Sequence, residues 1–340
     1  MRGGSVTTTS EPLTLAAGFG PNARTFPILD GSIEPKGMRL LPTAVHGSEL
    51  FWRQLKFADF DVSEMSISSL TISTANGTSE WVGLPVFSMR RFFHTGILVR
   101  ADAGIEKPAD LKGKRVGVPE YQQTAAVWCR GILSDEFGVD PRDLHWFMER
   151  PPEQSHGGST GFKPPPGVRL EYIPTSTNIG EMLLSGELDA TLLYLSDPNL
   201  VDRSRADLSS AKNIRPLFSN PQAEAHRYFA KTGIYPINHC FVVRKSIVER
   251  DPSVPLRLYE AFLEAKSVGN RRRESLLEPL LATGTVDQAT HTAISADVMA
   301  YGVNGARAVL DTVTRFIHEQ GLTPRRVGLD ELFAADTLEL

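Results

Sequence analysis

The sequence predicts an α/β fold built from two domains. The chain has 340 residues, more than a single hydrophobic core usually accommodates. Short apolar segments typical of buried strands alternate with segments whose apolar residues recur every three or four positions, as in amphipathic helices. This alternation favours sheets with largely parallel strands and helices packed on their faces.

The first third of the chain begins the alternation. Residues 13–17 and 38–42 are predicted to be short strands, and residues 48–55 a helix. Residues 60–62 have the pattern of a buried strand end, and a helix is predicted from Ser66 onwards. This order of elements is typical of a layered α/β domain.

The clearest helix is predicted from Thr124. Apolar residues from Ala125 to Phe137 fall at three- and four-residue spacing. Thr124 suits the N-cap, and Gly138 suits the left-handed residue that often follows a helix.

The second half of the chain continues the pattern. Asparagine or aspartate precedes two of its predicted helices, and glycine follows two of them, as expected at helix ends. The predicted elements are a helix from Asn178 to Leu184 ended by Gly186, a strand at 190–195, a helix at 252–266 with Asp251 as N-cap and Pro252 as first residue, and a helix at 306–320 ended by Gly321.

Residues 149–167 interrupt the alternation. Their sequence, ERPPEQSHGGSTGFKPPPG, contains too much proline and glycine for a regular helix or strand. A loop of this length is either a flap beside a ligand or a surface insertion, and we favour the surface insertion.

Composition and charge narrow the classes of function. A net charge of −4 and a pI near 6.1 give no electrostatic reason to expect nucleic acid or a membrane as partner. The first residues lack the apolar run of a signal peptide, and no stretch of about 18 apolar residues occurs, so we expect a cytoplasmic protein.

Cys129 and Cys240 lie in apolar patterns that favour core positions over a disulfide or a zinc site. The oligomeric state is left open, with a homo-oligomer as one alternative.

Polar residues crowd three places where a predicted strand passes into a helix. In open α/β sheets, ligands collect at the carboxyl ends of strands, where helix N-termini offer free N–H groups to anions. If the three joints face one cleft, they would bind a small molecule with one or more carboxylates. Alternatively, Ser66, Thr124 and Asn178 only cap their helices. The joints are residues 62–66, 119–124 and 175–178.

Three segments resemble the type II periplasmic-binding-protein fold, in which two α/β lobes close on a ligand between them. The resemblance implies a first lobe made of residues 1–98 and 240–340, and a second lobe of residues 99–239. The segments are ADLKGKRVGVP at 109–119, GEMLLSGELDATLL at 180–193 and CFVVRKSIVERDP at 240–252.

Four segments are similar to the 4,5-dihydroxyphthalate decarboxylase family, whose members are cytoplasmic enzymes on this scaffold. The chain departs from the family pattern at 20–24, where only Arg24 matches, and at Phe93, where the family places an arginine. These departures leave the exact substrate open. The similar segments are FWRQLKFADFDVSEMS at 51–66, PVFSMRRFFH at 85–94, GVPEYQQTAAVWCRGIL at 117–133 and TGIYPINH at 232–239.

The resemblance implies conversion of 4,5-dihydroxyphthalate to protocatechuate and CO₂. Direct loss of CO₂ from a benzene ring would leave an unstabilised aryl anion, so without an electron-sink cofactor the ring carbon must first be protonated. A hydroxyl para to the carboxylate permits this step by supplying electron density as it loses its proton. The site then needs a base, an acid and a cationic clamp for the carboxylate that stays.

The matching segments contain candidates for each role. Imidazoles can serve as acid or base near neutral pH, and carboxylates at helix N-termini favour the ionised form. We favour His94 for acid–base chemistry and Arg90 as clamp; the structural alternatives are core hydrogen bonds, ion pairs and caps. The catalytic candidates are His94, Glu64, His239 and Glu120. The substrate-binding candidates are Arg24, Ser66, Arg90, Tyr121, Gln122, Thr124, Arg130, Asn178 and Tyr235.

No cofactor is predicted, and two other classes of function stay open. The eight histidines include no pair at HxH or HxxxH spacing, so a metal site would have to be assembled from residues such as Glu64, His94 and His239. A solute-binding protein for a small aromatic carboxylate would share the fold and need no acid–base pair. Another cytoplasmic enzyme on this scaffold would act on a different carboxylated ring.

Overall fold

The computed structural model describes residues 11–340. Within that range, no helix is both long enough and apolar enough to cross a membrane. The strands are β1 (Leu13–Phe19), β2 (Met38–Ala44), β3 (Val62–Ser66), β4 (Trp81–Arg90), β5 (Leu98–Arg100), β6 (Arg115–Val118), β7 (His145–Met148), β8 (Arg169–Tyr172), β9 (Ala190–Thr191), β10 (Ile214–Pro216) and β11 (Ile237–Arg244). The α-helices are α1 (Phe26–Leu29), α2 (Gly47–Phe57), α3 (Ile67–Ala75), α4 (Thr124–Phe137), α5 (His156–Thr160), α6 (Ile179–Ser185), α7 (Pro221–Thr232), α8 (Lys245–Arg250), α9 (Val254–Ala282), α10 (Gln288–Ser295), α11 (Val303–Glu319) and α12 (Leu329–Leu332).

The strands form two sheets, each the centre of one lobe. The first lobe contains the sheet with strand order β2-β1-β3-β11-β4, and the second lobe contains the sheet with order β10-β5-β9-β6-β7-β8. The chain therefore crosses from the first lobe to the second after β4 and returns before β11.

Most strands of each sheet run in one direction, as the sequence predicted, and one strand in each sheet is reversed. β1 is parallel to β2 and β3, and β6 is parallel to β7 and β9. However, β5 is antiparallel to β9 and β10, and β11 is antiparallel to β3 and β4. These are the first strands after each crossing, and neither follows a strand–helix–strand crossover within its own sheet, the connection that keeps strands parallel.

One apolar cluster extends through both lobes and joins them. It includes Met65 and Ile67 beside the first sheet, and Trp128 and Trp146 beside the second. Trp128 of α4 is fully buried, and its indole Nε1 donates to the carbonyl oxygen of Ile237 in β11 at 2.8 Å. The lobes are therefore held together by buried apolar surface on the α4 side.

Local capping signals located several helices correctly. The helix predicted from Thr124 is α4, and Gly138 follows it with a φ of 64° in the left-handed region. Asn178 is the N-cap of α6, where its side-chain oxygen accepts from the Glu181 backbone N–H at 3.0 Å.

Three predicted boundaries are wrong. Thr124 is the first residue of α4 and Gln123 is its N-cap, because the Thr124 hydroxyl bonds across to the first lobe instead of to its own helix. Asp251 ends α8, and the long helix α9 has Ser253 as its N-cap. The strand predicted at 190–195 is limited to the two residues of β9, after which the chain leaves the sheet and lines a cavity.

We predict opposite effects on stability for two glycine-to-alanine changes in helices. A Cβ at Gly131, in the middle of α4, would lie 2.2 Å from the Phe316 ring of α11, whereas the nearest atom at exposed Gly305 is 3.8 Å away. Gly131→Ala should therefore lower the free energy of unfolding by about 1–3 kcal/mol through overpacking. Gly305→Ala, the matched control, should raise it by up to about 1 kcal/mol through helix propensity. Denaturant unfolding checks both, and a stabilised Gly131→Ala variant would contradict the packing described for α4 and α11.

Candidate active site

A cavity of about 830 Å³ lies between the lobes. Its walls include Phe51, Ser66 and His239 from the first lobe, and Thr124 and His156 from the second. Residues that are distant in sequence therefore meet here, at the place where α3 and α4 begin. A concave site of this size, lined by apolar surface and a few convergent polar groups, is typical of a small-molecule site.

A buried carboxylate–imidazole pair forms one wall. Glu64 of β3 and His239 of β11 are close because the two strands are antiparallel neighbours, with His239 opposite Ser66. His239 Nδ1 lies 2.7 Å from Glu64 Oε1. Ser88 Oγ donates to the same carboxylate oxygen, and the Gly20 backbone N–H donates to Oε2 at 3.0 Å. Each oxygen of Glu64 is therefore bonded.

The surroundings of Glu64 keep it ionised. Burial on its own would raise the pKa of this carboxyl, because it disfavours the charged form. The hydrogen bond and charge of His239, together with the bonds from Ser88 and Gly20, outweigh burial and hold the pKa of Glu64 below its ordinary value. The Glu64 carboxylate therefore presents a negative charge to the imidazole of His239.

The hydrogen bonds also define the tautomer of His239. The Asn238 amide Nδ2 lies 2.7 Å from Nε2 of the imidazole. An amide N–H donor at this position makes Nε2 the acceptor. Nδ1 therefore carries the ring proton and donates a hydrogen bond to Glu64. Nε2 is then the ring atom able to take a proton, and Glu64 would stabilise the resulting imidazolium.

The first two polar joints meet between the lobes, which fulfils for two of the three joints the condition set in the sequence analysis. Ser66 Oγ lies 2.8 Å from Thr124 Oγ1, and the Ser68 backbone N–H donates to Thr124 Oγ1 at 3.0 Å. The N-termini of α3 and α4 therefore converge here, and both lobes contribute positive helix-dipole ends to one wall of the cavity. Residues 175–178, the third joint, do not line this cavity, and the side chain of Asn178 caps α6.

The Pro/Gly-rich segment is part of the site, so the surface insertion we favoured from the sequence is wrong. Arg150 and His156 of this segment are both 1% exposed and line the cavity. Arg150 pairs with buried Asp202 at 2.7 Å, which compensates the burial of its charge. A Cβ at Gly158 would lie 1.8 Å from the carbonyl oxygen of Pro152, so glycine allows the close backbone packing. Composition indicated a wholly irregular segment, but the short helix α5 lies within it. The burial of Arg150 involves Asp202, which is distant in sequence.

Glu120 lies behind this wall. Its Oε2 accepts from the His156 backbone N–H at 3.0 Å, and among the described residues no group donates to its buried Oε1. Burial raises the pKa of Glu120 to about 7, although the positive charge of Arg150 opposes the increase. The side chain supports the cavity wall and is not one of the residues that line the cavity.

A second cavity, of about 710 Å³, shares His239 with the first and lies within the first lobe. Arg24 and Arg90, two predicted clamps, line this second cavity. Each guanidinium already donates to backbone oxygens: Arg24 to Ser88 at 2.7 Å, and Arg90 to Ala300 at 2.9 Å. Their positions make them supports of the first lobe beside Glu64 rather than groups in the interlobe wall.

His94 lies away from the cleft, although it was the favoured acid–base residue. It is fully buried, its ring packs against Phe92, Phe218 and Tyr228, and its Nε2 lies 3.1 Å from Glu224 Oε1. Burial lowers the pKa of His94, so the neutral form is favoured. The metal set considered from the sequence is therefore not brought together. No group of three or more His, Cys, Asp or Glu residues within 11–340 is arranged to hold a metal ion.

The remaining candidates have structural contacts outside the cavity wall. Tyr121 is fully buried beneath the Arg130 guanidinium, 3.8 Å from the ring centroid. Gln122 accepts from the Thr160 hydroxyl at 3.0 Å. Tyr235 stacks on Phe92 with ring centroids 4.9 Å apart. None of these four predicted binding residues lines either cavity among the described residues.

Several cavity residues were not among the candidates. Phe51 contacts both imidazoles edge-on, with ring centroids 4.6 Å from His239 and 5.9 Å from His156. Phe51 and Asn238 belong to segments that matched the family, and the aromatic residue within FWRQLK was an available signal. Arg150 and His156 had no such signal, because irregular segments carry no periodicity that reveals which side chains turn inward.

The two lobes and the polar cleft between them give the chain a type II periplasmic-binding-protein-like fold. The solved structure of the periplasmic aliphatic sulphonate binding protein SsuA from Escherichia coli matches with a TM-score of 0.54 at 14% identity, covering 97% of this chain and 100% of that chain. The alkanesulfonate-binding protein SsuA from Xanthomonas axonopodis pv. citri matches with a TM-score of 0.52 at 15% identity, covering 94% and 97%. These likenesses confirm the predicted fold class. A family model described as NMT1/THI5 like also matches residues 65–147.

Sequence relatives define the family more narrowly. The 4,5-dihydroxyphthalate decarboxylase of Comamonas testosteroni is 33% identical over 330 residues, which are 96% of this chain and 98% of the relative. The protein of the same name from Pseudomonas putida is 40% identical over 180 residues, covering 53% of this chain and 70% of the relative. This chain therefore belongs to the 4,5-dihydroxyphthalate decarboxylase family, and the resemblance recognised in its sequence is confirmed.

We predict that Glu120 makes the protein less stable as the pH rises from about 5 to about 7. The unfolded carboxyl ionises near its ordinary pKa of about 4.3, whereas the folded carboxyl keeps its proton to about pH 7. The folded state binds more protons in this window, so a rising pH favours unfolding, by a total on the order of 3 kcal/mol.

Glu120→Gln tests this linkage because it keeps an acceptor for the His156 N–H and removes the titration. Its free energy of unfolding, measured with denaturant across this pH range, should fall less steeply than that of the wild type. Glu171→Gln, which changes an exposed carboxylate, is the control. Equal slopes for wild type and Glu120→Gln would contradict the burial of a protonated carboxyl at this position.

Proposed function

We propose that this protein is a non-oxidative aromatic decarboxylase that converts 4,5-dihydroxyphthalate to protocatechuate and CO₂. The observation that carries the proposal is the 33% identity to the Comamonas testosteroni decarboxylase over nearly the whole of both chains. The cleft supports it, because a base with a defined tautomer lies beside two converging helix N-termini.

His239 is the base in this proposal. A ring hydroxyl that replaces the Asn238 amide at Nε2 would donate its proton to the imidazole. The ionised Glu64 carboxylate, 2.7 Å from Nδ1, would stabilise the imidazolium that results. Because the hydroxyl is para to the leaving carboxylate, deprotonation of the hydroxyl raises the electron density at the carbon that bears that carboxylate.

The chemistry then proceeds without an electron sink. The electron-rich ring carbon takes up a proton from solvent, one for each carboxylate lost, and the bond to the carboxylate breaks. The electron pair of that bond restores the aromatic ring, and the hydroxyl oxygen regains its proton from His239. The net change replaces the carboxylate by hydrogen and releases CO₂, and no oxidant or reductant is consumed.

The polar wall beside the base suits a carboxylate. The N-termini of α3 and α4 provide backbone N–H groups and positive dipole ends, and the Ser66 and Thr124 hydroxyls lie between them. Arg150 adds a nearby guanidinium that is already paired with Asp202. Phe51 provides an apolar surface beside the imidazole for the substrate ring.

We predict that Glu64→Gln and His239→Gln each lower kcat by roughly 10²- to 10⁴-fold, because each removes part of the general base. CO₂ release and ring absorbance with 4,5-dihydroxyphthalate provide the measurement. His145→Gln and Glu171→Gln are matched controls, since partly buried His145 and exposed Glu171 form a His–Glu pair with a 2.6 Å contact on the second lobe. The control variants should retain wild-type rates, and a His239→Gln variant that also retains them would contradict the assignment.

Two further arms of the same assay separate the alternatives. Protein treated with a chelator should release CO₂ as fast as untreated protein, and release from untreated protein alone would contradict a cofactor-free mechanism. If wild-type protein binds the diacid without consuming it, the decarboxylase proposal fails and a solute-binding protein replaces it.

A further inference from the structure

A phthalate-type substrate has two carboxylates, and the helix N-termini account for one of them. The second carboxylate also enters the interlobe cavity, where it loses hydration and needs a cationic partner. The arginines that line the cavity can provide this partner, because guanidinium matches a carboxylate in a bidentate geometry.

Three arginines line the interlobe cavity, and two of them are already engaged. Arg150 is paired with Asp202 at 2.7 Å, and both side chains are buried. Arg215 is paired with Glu106 at 2.9 Å and donates to the carbonyl oxygen of Ile105 at 2.7 Å. Within residues 11–340, the guanidinium of the third arginine, Arg91, has no hydrogen-bond or ion-pair partner.

The backbone of Arg91 is fixed beside the base. Its N–H donates to the carbonyl oxygen of Pro236 at 3.1 Å, immediately before β11. Met89, two residues earlier, pairs with His239 in the β4–β11 register. The side chain is exposed and lines the cavity next to Gly96, so it is accessible to a ligand while its backbone is held by the strand that carries His239.

The charges of the cavity also favour an anion near Arg91. Asp197 and Asp207 line the part of the cavity formed by the segment between β9 and β10. Their carboxylates repel a dianion from that segment, and Arg91 attracts it to the side near β4 and β11.

We infer that Arg91 binds the carboxylate that stays on the ring and so makes the site selective for ortho-dicarboxylates over monocarboxylates. This inference rests on the proposed function, which supplies the diacid. The inference adds a specificity-determining residue, Arg91, which follows the favoured clamp Arg90 in the sequence and was not among the predicted site residues.

Ligand binding tests Arg91 separately from turnover. Phthalate and benzoate lack the ring hydroxyls and differ by one carboxylate, so calorimetric titration of each ligand does not depend on decarboxylation. Wild-type protein should bind phthalate more tightly than benzoate. Arg91→Gln should weaken phthalate binding roughly 10- to 100-fold and leave benzoate binding within about threefold, because a charge-assisted contact is lost for the diacid alone. Arg91→Lys should recover part of the phthalate affinity.

Arg215→Gln is the matched control. It removes one positive charge from the same cavity but breaks a contact with Glu106. Both ligands should bind this variant with nearly wild-type affinity. Equal weakening of phthalate and benzoate by Arg91→Gln, or equal weakening of phthalate by both variants, would show a general effect of charge and overturn the inference. Unchanged phthalate binding by Arg91→Gln would overturn it as well. If wild-type protein turns over no diacid but these binding differences hold, the decarboxylase proposal fails and the role of Arg91 stands.

Discussion

A buried carboxylate is tolerated only when partners replace its lost hydration, and the site depends on how Glu64 meets this constraint. His239, Ser88 and Gly20 bond the carboxylate from three separate segments. His239 reaches it because β11 returns from the second lobe and runs antiparallel beside β3. The topology that crosses twice between lobes therefore completes the Glu64–His239 pair, and the same crossing brings Ser66 and Thr124 together across the cleft.

Helices could be predicted from the sequence because their signals are local. The apolar spacing of α4 and the glycine at Gly138 lie within one short segment, and so does the cap at Asn178. The directions of β5 and β11 could not be predicted, because they depend on the path of the chain between the two sheets. Thr124 shows the same limit, since the partner of its hydroxyl lies on the other lobe.

The sequence predicted site residues correctly where segments that match the family also lie next to each other in the structure. Glu64 and His239 belong to different matching segments and form a pair, whereas His94, in another, is enclosed by aromatic rings and paired with Glu224 of α7. Arg150 was missed because only its contact with Asp202, distant in sequence, buries it in the wall. Residue type and local context therefore select candidates, and long-range pairing decides which of them reach the cleft.

In the proposed mechanism, Glu64 holds His239 in the tautomer with its proton on Nδ1, which leaves Nε2 to accept the proton of a ring hydroxyl. Nitrogen NMR of isotope-labelled histidines, assigned with His239→Gln, measures this directly. In the free protein, Nδ1 of His239 should carry a proton and Nε2 should not, and added protocatechuate should shift Nε2 toward the protonated form. A proton on Nε2 of the neutral ring in the free protein, or an Nε2 signal that protocatechuate leaves unchanged, would exclude His239 as the base.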